Sequence, residues 1–287
     1  MRRKRTHSQI AAQTAALPSR QSAHLCRETA PYPSAHHLPT IKCATPFIVG
    51  YNTDSLTGGK FYIKAAQFQD VQSGESIIAN TVKGYEGVDF DEAMAFQATA
   101  PQIQVQNASG TYDIYYYLND AYIEATDSTV KGWADSSGNY VDLTIAPGVA
   151  YWFKVVSGDA DVTTSGQVES DDSVDITVPQ NKFTLVANTY PIAITLNGDQ
   201  MTSTNIKGVD FDEAMAFQTT APQIQVQNDS GTYDIYYYLN DAYIEATDST
   251  MQGWADSSGN YVTPTIPVGA GFWMKGVTGD VTLNFAK

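Results

Sequence analysis

Apolar and polar residues alternate with a period of two along much of this chain, as they do in half-buried β-strands. The segment Gln102–Gln106 alternates strictly and places Ile103 and Val105 on one face. A turn sequence follows at residues 107–110, and residues 111–118 then return with the same period. We therefore predict that these segments form an antiparallel β-hairpin.

The sequence contains a tandem duplication. Residues 87–145 recur as residues 208–266, and only six of these 59 positions differ. The differences are Ala98/Thr219, Ala108/Asp229, Val130/Met251, Lys131/Gln252, Asp142/Thr263 and Leu143/Pro264. Because each copy serves as a control for the other, a motif found in one copy alone carries little weight.

Each copy contains several short predicted strands separated by turns. After the hairpin come a turn at residues 135–139 and an apolar strand over residues 149–156. Residues 89–96 alone resemble a helix, with Asp89 and Glu92 at capping-box spacing, although a strand fits nearly as well. The pattern predicts an all-β fold with two tandem antiparallel β-sandwich or small-barrel domains, each with at most one short helix.

Composition changes abruptly near residue 44. All arginines, all histidines and both cysteines precede it, and the rest of the chain contains none of them. The first 44 residues hold seven basic residues and one acid, whereas the remainder holds nine lysines and thirty acids. Two such compositions rarely belong to one folded unit. We predict a disordered leader or a misassigned start over residues 1–44, β-repeat domains over 45–165 and 175–287, and a polar linker over 166–174.

The acidic body restricts the partners. Nucleic-acid binding needs clustered Lys and Arg to neutralise phosphates, so we expect no nucleic-acid partner. We also expect no membrane insertion, because no stretch is long and apolar enough to span a bilayer. Self-association and glycan binding remain as the partner hypotheses.

The sequence contains no convincing catalytic motif. Without histidine or cysteine after residue 44, Ser-His-Asp and Cys-His arrangements and typical zinc sites are excluded from the body. Residues 128–131 have S-x-x-K spacing, but copy two carries Gln252 where copy one carries Lys131. Acids are plentiful, yet their spacing identifies no acid–base pair. We therefore predict no catalytic residues and a protein that is not an enzyme.

Calcium is the one cofactor that the sequence allows. Residues 135–139 resemble the start of a calcium loop, but Tyr140 and Ala146 occupy positions that require glycine and glutamate. A better calcium candidate is an acidic segment that occurs in both copies. It comprises Asp89, Asp91, Glu92, Asp210, Asp212 and Glu213. Helix capping by the same acids is the alternative.

Tyrosines on the hairpin are the strongest candidate for a binding surface. Alternation predicts that residues 112, 114, 116 and 118 are buried and that the intervening side chains point outward beside the glutamines. The predicted ligand or interface face consists of Gln104, Asp113, Tyr115, Tyr117, Gln225, Asp234, Tyr236 and Tyr238. Aromatic rings beside amides and carboxylates suit a saccharide. Alternatively, the tyrosines form cross-strand pairs or are covered by the rest of the domain.

Several short motifs of the repeat occur together in copy two. A Lys-Phe strand and the tyrosine-rich hairpin are followed by Gly-Trp-Ala-Asp-Ser-Ser-Gly-Asn at 253–260, Pro-x-Gly-x-Gly-Phe-Trp at 267–273 and Thr-Leu-Asn-Phe at 282–285. This set resembles repeats of exported β-rich bacterial proteins. Copy one departs from it with Val-Ala-Tyr at 149–151. The resemblance implies secretion and a β fold, and it supplies no catalytic residues because that family has no assigned activity.

Two hypotheses about function follow. The first is a non-enzymatic extracellular or cell-surface structural protein, in which an apolar strand adds to a sheet edge of the next molecule and builds a filament. That strand contains Phe47, Ile48, Val49 and Tyr51. The second is a glycan-binding adhesin module that uses the tyrosine face of both copies. Extracellular location is expected although residues 10–17 are too polar for a recognisable secretory signal.

Overall fold

Short antiparallel strands make up the described part of the chain. The computed structural model describes residues 49–69, 76–77, 81–83, 87–95, 100–156, 158–216, 218 and 220–287. Over these residues the fold is all-β with two six-residue helices, so the predicted fold class is confirmed. No helix within these ranges is long and apolar enough to cross a membrane.

The two repeats contain equivalent elements, apart from one additional two-residue strand, Phe68–Gln69, in the first. The first comprises β1 (Val49–Leu56), β2 (Lys60–Ala65), β3 (Phe68–Gln69), β4 (Ser76–Ile77), β5 (Thr81–Lys83), α1 (Phe90–Ala95), β6 (Gln102–Gln106), β7 (Tyr112–Ile123), β8 (Ser128–Ala134), β9 (Thr144–Ile145), β10 (Ala150–Val155) and β11 (Ala160–Val168). The second comprises β12 (Ser173–Val178), β13 (Phe183–Ala187), β14 (Ile194–Thr195), β15 (Met201–Thr204), α2 (Phe211–Ala216), β16 (Gln223–Gln227), β17 (Tyr233–Ile244), β18 (Ser249–Ala255), β19 (Thr265–Ile266), β20 (Gly271–Lys275) and β21 (Val281–Ala286).

A five-stranded antiparallel sheet forms the centre of each repeat. Its strand order is β2-β10-β6-β7-β8 in the first repeat and β13-β20-β16-β17-β18 in the second. A smaller sheet packs against it, with β11 bonded to β1, β3 and β5 in the first repeat and β21 bonded to β12 and β15 in the second. The predicted hairpin is therefore β6–β7, and β16–β17 repeats it.

Both faces of each large sheet are covered. In the first repeat, Ile103 and Phe153 lie in the core between the two sheets. The opposite face, with Tyr116 and Leu118, packs against Ala93 of the short helix. Since neither face is open, strict alternation between buried and exposed positions fails on β7.

The predicted linker is shorter than expected. Strand β11 continues to Val168 and β12 begins at Ser173, so only residues 169–172 connect the repeats. The extension of β11 has a partner, because residues 49–51 pair with residues 165–167. This segment was predicted as a linker from its polar composition, but Gln167 within it pairs with Val49 of β1 on one side and with Gln69 of β3 on the other.

The apolar strand proposed for self-assembly is bonded within its own chain. Val49 and Tyr51 belong to β1, which pairs with β11 along its whole length. Phe47 and Ile48 lie outside the described residues. The other edge of β1 has no partner strand among the described residues, so addition of a second molecule there stays a prediction.

The two repeats share an apolar contact. Residues 46–287 form one compact unit rather than two separate ones. Between the repeats lies a cluster of buried Ile63, Ala65, Ala150, Leu185 and Ala187. The first two come from β2 and the last two from the equivalent strand β13, so the interface brings like elements together.

Backbone hydrogen bonds at this interface are reciprocal. The N–H of Ala65 donates to Gly269 O at 2.9 Å, and the N–H of Ala187 donates to Gly148 O at 2.8 Å. Each edge strand thus finds a partner in the opposite repeat. Gly148 adopts φ +84° in this segment, a conformation that favours glycine.

Small residues allow the close approach at the centre of the interface. A Cβ atom added to Gly271 would lie 2.4 Å from Ala150 Cβ and 2.8 Å from Ile63 Cγ2. Gly271 and Ala150 are equivalent positions of the duplication, so one of the two must lack a methyl group. The backbone of Gly271 itself would accept alanine, because its φ is not positive.

We expect Gly271→Ala to lower the free energy of unfolding by about 1–3 kcal/mol, because the added methyl group overpacks the interface. The double variant Ala150→Gly/Gly271→Ala moves the single methyl group to the other side and should recover part of this loss. Urea denaturation followed by tryptophan fluorescence measures both. A Gly271→Ala protein as stable as the parent would contradict the close approach.

One ion pair of the first repeat is replaced by an apolar pair at the equivalent place in the second. Lys64 Nζ lies 2.6 Å from Asp54 Oδ2, and both side chains are largely shielded from solvent. Asn52 Nδ2 donates to the same carboxylate oxygen at 3.1 Å. In the second repeat the corresponding residues are Val186 and Ile176. An apolar pair is therefore compatible with the fold at this place.

Replacing Lys64 by valine alone should reduce the free energy of unfolding by about 3 kcal/mol, since it leaves a shielded Asp54 without its counter-ion. The double variant Asp54→Ile/Lys64→Val copies the second repeat and should recover most of that loss. Urea denaturation of the two single variants and the double variant forms a complete cycle. Strictly additive losses would show that the two charges do not compensate each other.

Candidate functional site: two clefts between the repeats

Two glutamine side chains bind the edge strands of the opposite repeat. Gln106 Nε2 donates to Phe183 O at 3.0 Å, and its Oε1 accepts from Leu185 N at 3.1 Å. Gln227 does the same on β2, donating to Phe61 O at 2.8 Å and accepting from the N–H two residues later at 3.1 Å. A glutamine amide presents an N–H donor beside a carbonyl acceptor. It can therefore bond the C=O and N–H groups of an edge strand as the backbone of a neighbouring strand would.

A cleft opens beside the first of these contacts, and we call it the first cleft. It lies between the β6–β7 turn of the first repeat and the start of β13 in the second, with a volume of about 550 Å³. Lys182, Phe183 and Trp273 line it from the second repeat, and Gln106 with turn residues 107–110 lines it from the first. The site is therefore incomplete in either repeat alone.

The second cleft is the counterpart produced by the duplication. It lies between the β16–β17 turn and the start of β2, with a volume of about 300 Å³. Lys60, Phe61 and Trp152 line it from the first repeat, and Gln227 and Tyr233 line it from the second. Both volumes fall in the range of small-molecule sites, roughly 300–1,000 Å³.

Four aromatic side chains connect the clefts across the interface, and we call them the aromatic row. Phe61 contacts Trp152 edge to face at 6.0 Å between ring centroids, and Phe183 contacts Trp273 in the same way at 6.3 Å. The two tryptophans meet at 6.4 Å. Each phenylalanine is 37% exposed, so each cleft offers an accessible ring supported by a tryptophan beneath it.

Polar neighbours fix the tryptophans of the aromatic row. A hydrogen bond joins the Trp152 indole to the Tyr112 hydroxyl, and the same pair exists between Trp273 and Tyr233. Burial raises the pKa of both tyrosines and outweighs the lowering effect of this hydrogen bond. Both hydroxyls are therefore neutral near pH 7, and each indole N–H is satisfied.

Lysines lie over the phenylalanine rings. Lys154 Nζ is 5.3 Å from the Phe61 ring centroid, and Lys275 Nζ is 5.5 Å from that of Phe183. Burial lowers the pKa of Lys154. Cation–π contact of this kind orients the ring and leaves its exposed part for another partner.

The turns at the cleft walls are held by their own asparagines. Asn107 Oδ1 accepts from the backbone N–H of Ser109 at 3.2 Å and of Thr111 at 3.1 Å. Asn228 makes the same two bonds in the second repeat, both at 3.2 Å. A wall that is ordered before binding costs less conformational entropy when a ligand arrives.

The register contradicts the predicted ligand face. Ile103 lies opposite Tyr115 and Val105 lies opposite Asp113, so these pairs share one face of the sheet. Gln104 lies opposite Ile114 and therefore points to the other face. The prediction placed the even-numbered glutamines of β6 on the same face as the odd-numbered residues of β7. In the observed register, even-numbered residues of β6 lie opposite even-numbered residues of β7, a difference of one residue.

Tyrosines of the predicted face are used for packing. Tyr115 and Tyr117 contact the core between the sheets, and Tyr117 meets Trp133 edge to face at 5.1 Å. Tyr236 and Tyr238 occupy the same places in the second repeat. The alternative interpretation, coverage by the rest of the domain, describes these residues correctly.

The polar members of that face are engaged locally. Asp113 is exposed and accepts from Asn107 Nδ2 at 3.0 Å, and Asp234 accepts from Asn228 in the same way. Gln104 and Gln225 each donate to the glutamine two residues earlier. These contacts stabilise the hairpin rather than present free groups.

One hollow does involve the predicted face. Asp113, Tyr115 and Asp135 line a space of about 410 Å³ on the first repeat. Burial raises the pKa of Tyr115, and the charges of Asp113 and Asp135 raise it further. Burial alone would raise the pKa of Asp135, but hydrogen bonds within the 135–139 turn outweigh it and lower that pKa. The Asp135 carboxylate is thus already hydrogen-bonded within its own turn.

The acids proposed for calcium are exposed around the starts of the two helices; they are Asp89, Asp91, Glu92, Asp210, Asp212 and Glu213. Among the described residues, no three acids, histidines or cysteines approach closely enough to hold one ion. The first N–H of α1, at Phe90, is capped by Asp120 Oδ1 at 3.0 Å from a bulge in β7. Calcium binding stays a hypothesis without a geometric site in the described ranges.

Sequence patterns missed the four residues of the aromatic row. A signal was present, since both copies carry a Lys-Phe pair at the start of β2 or β13 and a tryptophan at position 152 or 273. Periodicity within one copy could not show that a phenylalanine of one repeat lies beside a turn of the other. Only the interface brings them together.

Comparison with known proteins supplies no relative: no family model, no curated protein and no solved structure matches this chain.

Proposed function

We propose that this protein is a non-enzymatic extracellular binding protein that recognises saccharides through the first and second clefts. One observation carries the proposal: the same combination of exposed phenylalanine, supporting tryptophan and amide-rich turn is built twice, each time from both repeats. Saccharides present apolar C–H faces and hydroxyl edges. An aromatic ring beside polar side chains matches both features.

The chemistry of the clefts favours binding over catalysis. The first cleft contains amide, hydroxyl and ammonium groups, and none of the described residues that line it is acidic. Glycoside hydrolysis requires two carboxyl groups on either side of the scissile bond. Extracellular location is part of the proposal and is supported by the resemblance to exported repeats.

Phe61 and Phe183 provide the direct test. We expect Phe183→Ala or Phe61→Ala to weaken binding at the altered cleft by about tenfold, because the stacking ring is lost. The double variant should lose binding on a glycan array. Tyr51→Ala is the matched control, since Tyr51 is 70% exposed and lies outside both clefts.

Circular dichroism and thermal unfolding should match the parent for all four variants, because the altered rings are partly or largely exposed. Full retention of glycan binding by the folded double variant would reject the proposed clefts. Absence of any bound glycan for the parent protein across neutral and acidic members of the array would reject the function.

Self-assembly is the second candidate function, and one observation favours it. The outer edge of β1 has no partner strand among the described residues, and Tyr51 is exposed there. An open strand edge can pair with another chain. We expect removal of residues 45–51 to reduce any multimer to monomer in light scattering. A multimer that survives the deletion would contradict this role.

A further inference from the structure

The surroundings of the two clefts differ in charge because of one of the six substitutions between the copies, although each lining contains one lysine. Ala108 lies in the turn at the first cleft, whereas the equivalent position beside the second cleft is Asp229. Both residues are exposed at the tips of their turns. The remaining turn residues are identical in the two copies, so the difference changes charge while the local backbone is kept.

Each cleft also contains one lysine at the start of its edge strand. In the second cleft, Lys60 Nζ donates to the backbone carbonyl of Asp229 at 3.2 Å, so the ammonium is held beside an acidic residue. In the first cleft, Lys182 Nζ has no ion pair or hydrogen bond within the described part of the chain. Lys182 therefore offers a free cation beside the exposed ring of Phe183.

We infer that the first cleft takes an acidic saccharide, one that carries a carboxylate such as a uronic acid residue, and that the second cleft takes a neutral one. This inference rests on the proposed function. The ring of Phe183 stacks on the sugar, and the ammonium of Lys182 pairs with the carboxylate. Asp229 repels the same carboxylate from the second cleft.

Because the chain is strongly acidic, the local charge at each cleft determines whether an anionic ligand can bind there. The residues after the first 44 carry thirty acids against nine lysines, so the surface as a whole repels an anionic ligand. An acidic saccharide can bind only where a local cation outweighs that field. Of the described residues that line the first cleft, Lys182 is charged positively and none is charged negatively. The second cleft has Lys60 in the same role, but Lys60 lies against Asp229.

Matched uronic acid oligosaccharides test the inference on the full-length protein. Oligogalacturonate and oligomannuronate are each compared with their methyl esters, which keep the sugar rings and remove the charge. Titration calorimetry in the Phe61→Ala background reports mainly the first cleft, and in the Phe183→Ala background mainly the second, because the altered cleft binds about tenfold more weakly.

We expect the first cleft to bind at least one acid about fivefold more tightly than its ester, the size of one exposed ion pair. Lys182→Gln and Ala108→Asp should each remove that preference for the acid over its ester. Lys60→Gln is the matched control and should have no effect on the first cleft. Raising sodium chloride from 50 to 500 mM should weaken binding of the acid only.

The reverse substitution tests the second cleft. Asp229→Ala should raise its affinity for the acid relative to the ester by about fivefold. Equal affinity of the first cleft for acid and ester, or a preference that survives Lys182→Gln, would overturn the inference while the proposed function stands. If the parent protein binds no member of either series, and no glycan on the array, the proposed function itself fails.

Discussion

Open sheet edges are the constraint on which the rest of this structure depends. Strands β2 and β13 lie at the ends of their large sheets, where one row of backbone groups has no partner within the repeat. The interface satisfies these groups reciprocally, through Gln106, Gln227 and the segments that begin at Gly148 and Gly269. A single repeat would expose such an edge to solvent and to other chains.

Pseudo-symmetry at this interface limits which residues the two copies can carry at equivalent positions. Equivalent residues meet each other near the symmetry axis, as Trp152 and Trp273 do. Two alanines at the positions of Ala150 and Gly271 would clash, so an internally symmetric pair needs at least one glycine there. Divergence of the copies thus leaves the methyl group of Ala150 on one side of the interface and glycine on the other.

The same interface generates the clefts. Each cleft has one wall from either repeat, so the site exists only because the edges of the sheets are paired across the duplication. The aromatic row runs from one cleft to the other through the buried contact. Stability and the proposed binding function thus depend on the same set of residues. The exposed parts of the two phenylalanine rings are accessible to a ligand.

The sequence by itself determined the fold class, the duplication and the β6–β7 hairpin. Alternation and turn residues are local properties of the sequence, and each can be recognised within a stretch of a few residues. Tertiary structure decided which faces are covered, because Tyr115 and Tyr117 pack between sheets whose second layer comes from distant strands. It also decided the site. Phe61 and Gln227 are separated by 166 residues in the chain and meet only through the inter-repeat interface. No periodicity within one repeat encodes such a contact, since its partners are specified by the shape of the whole unit.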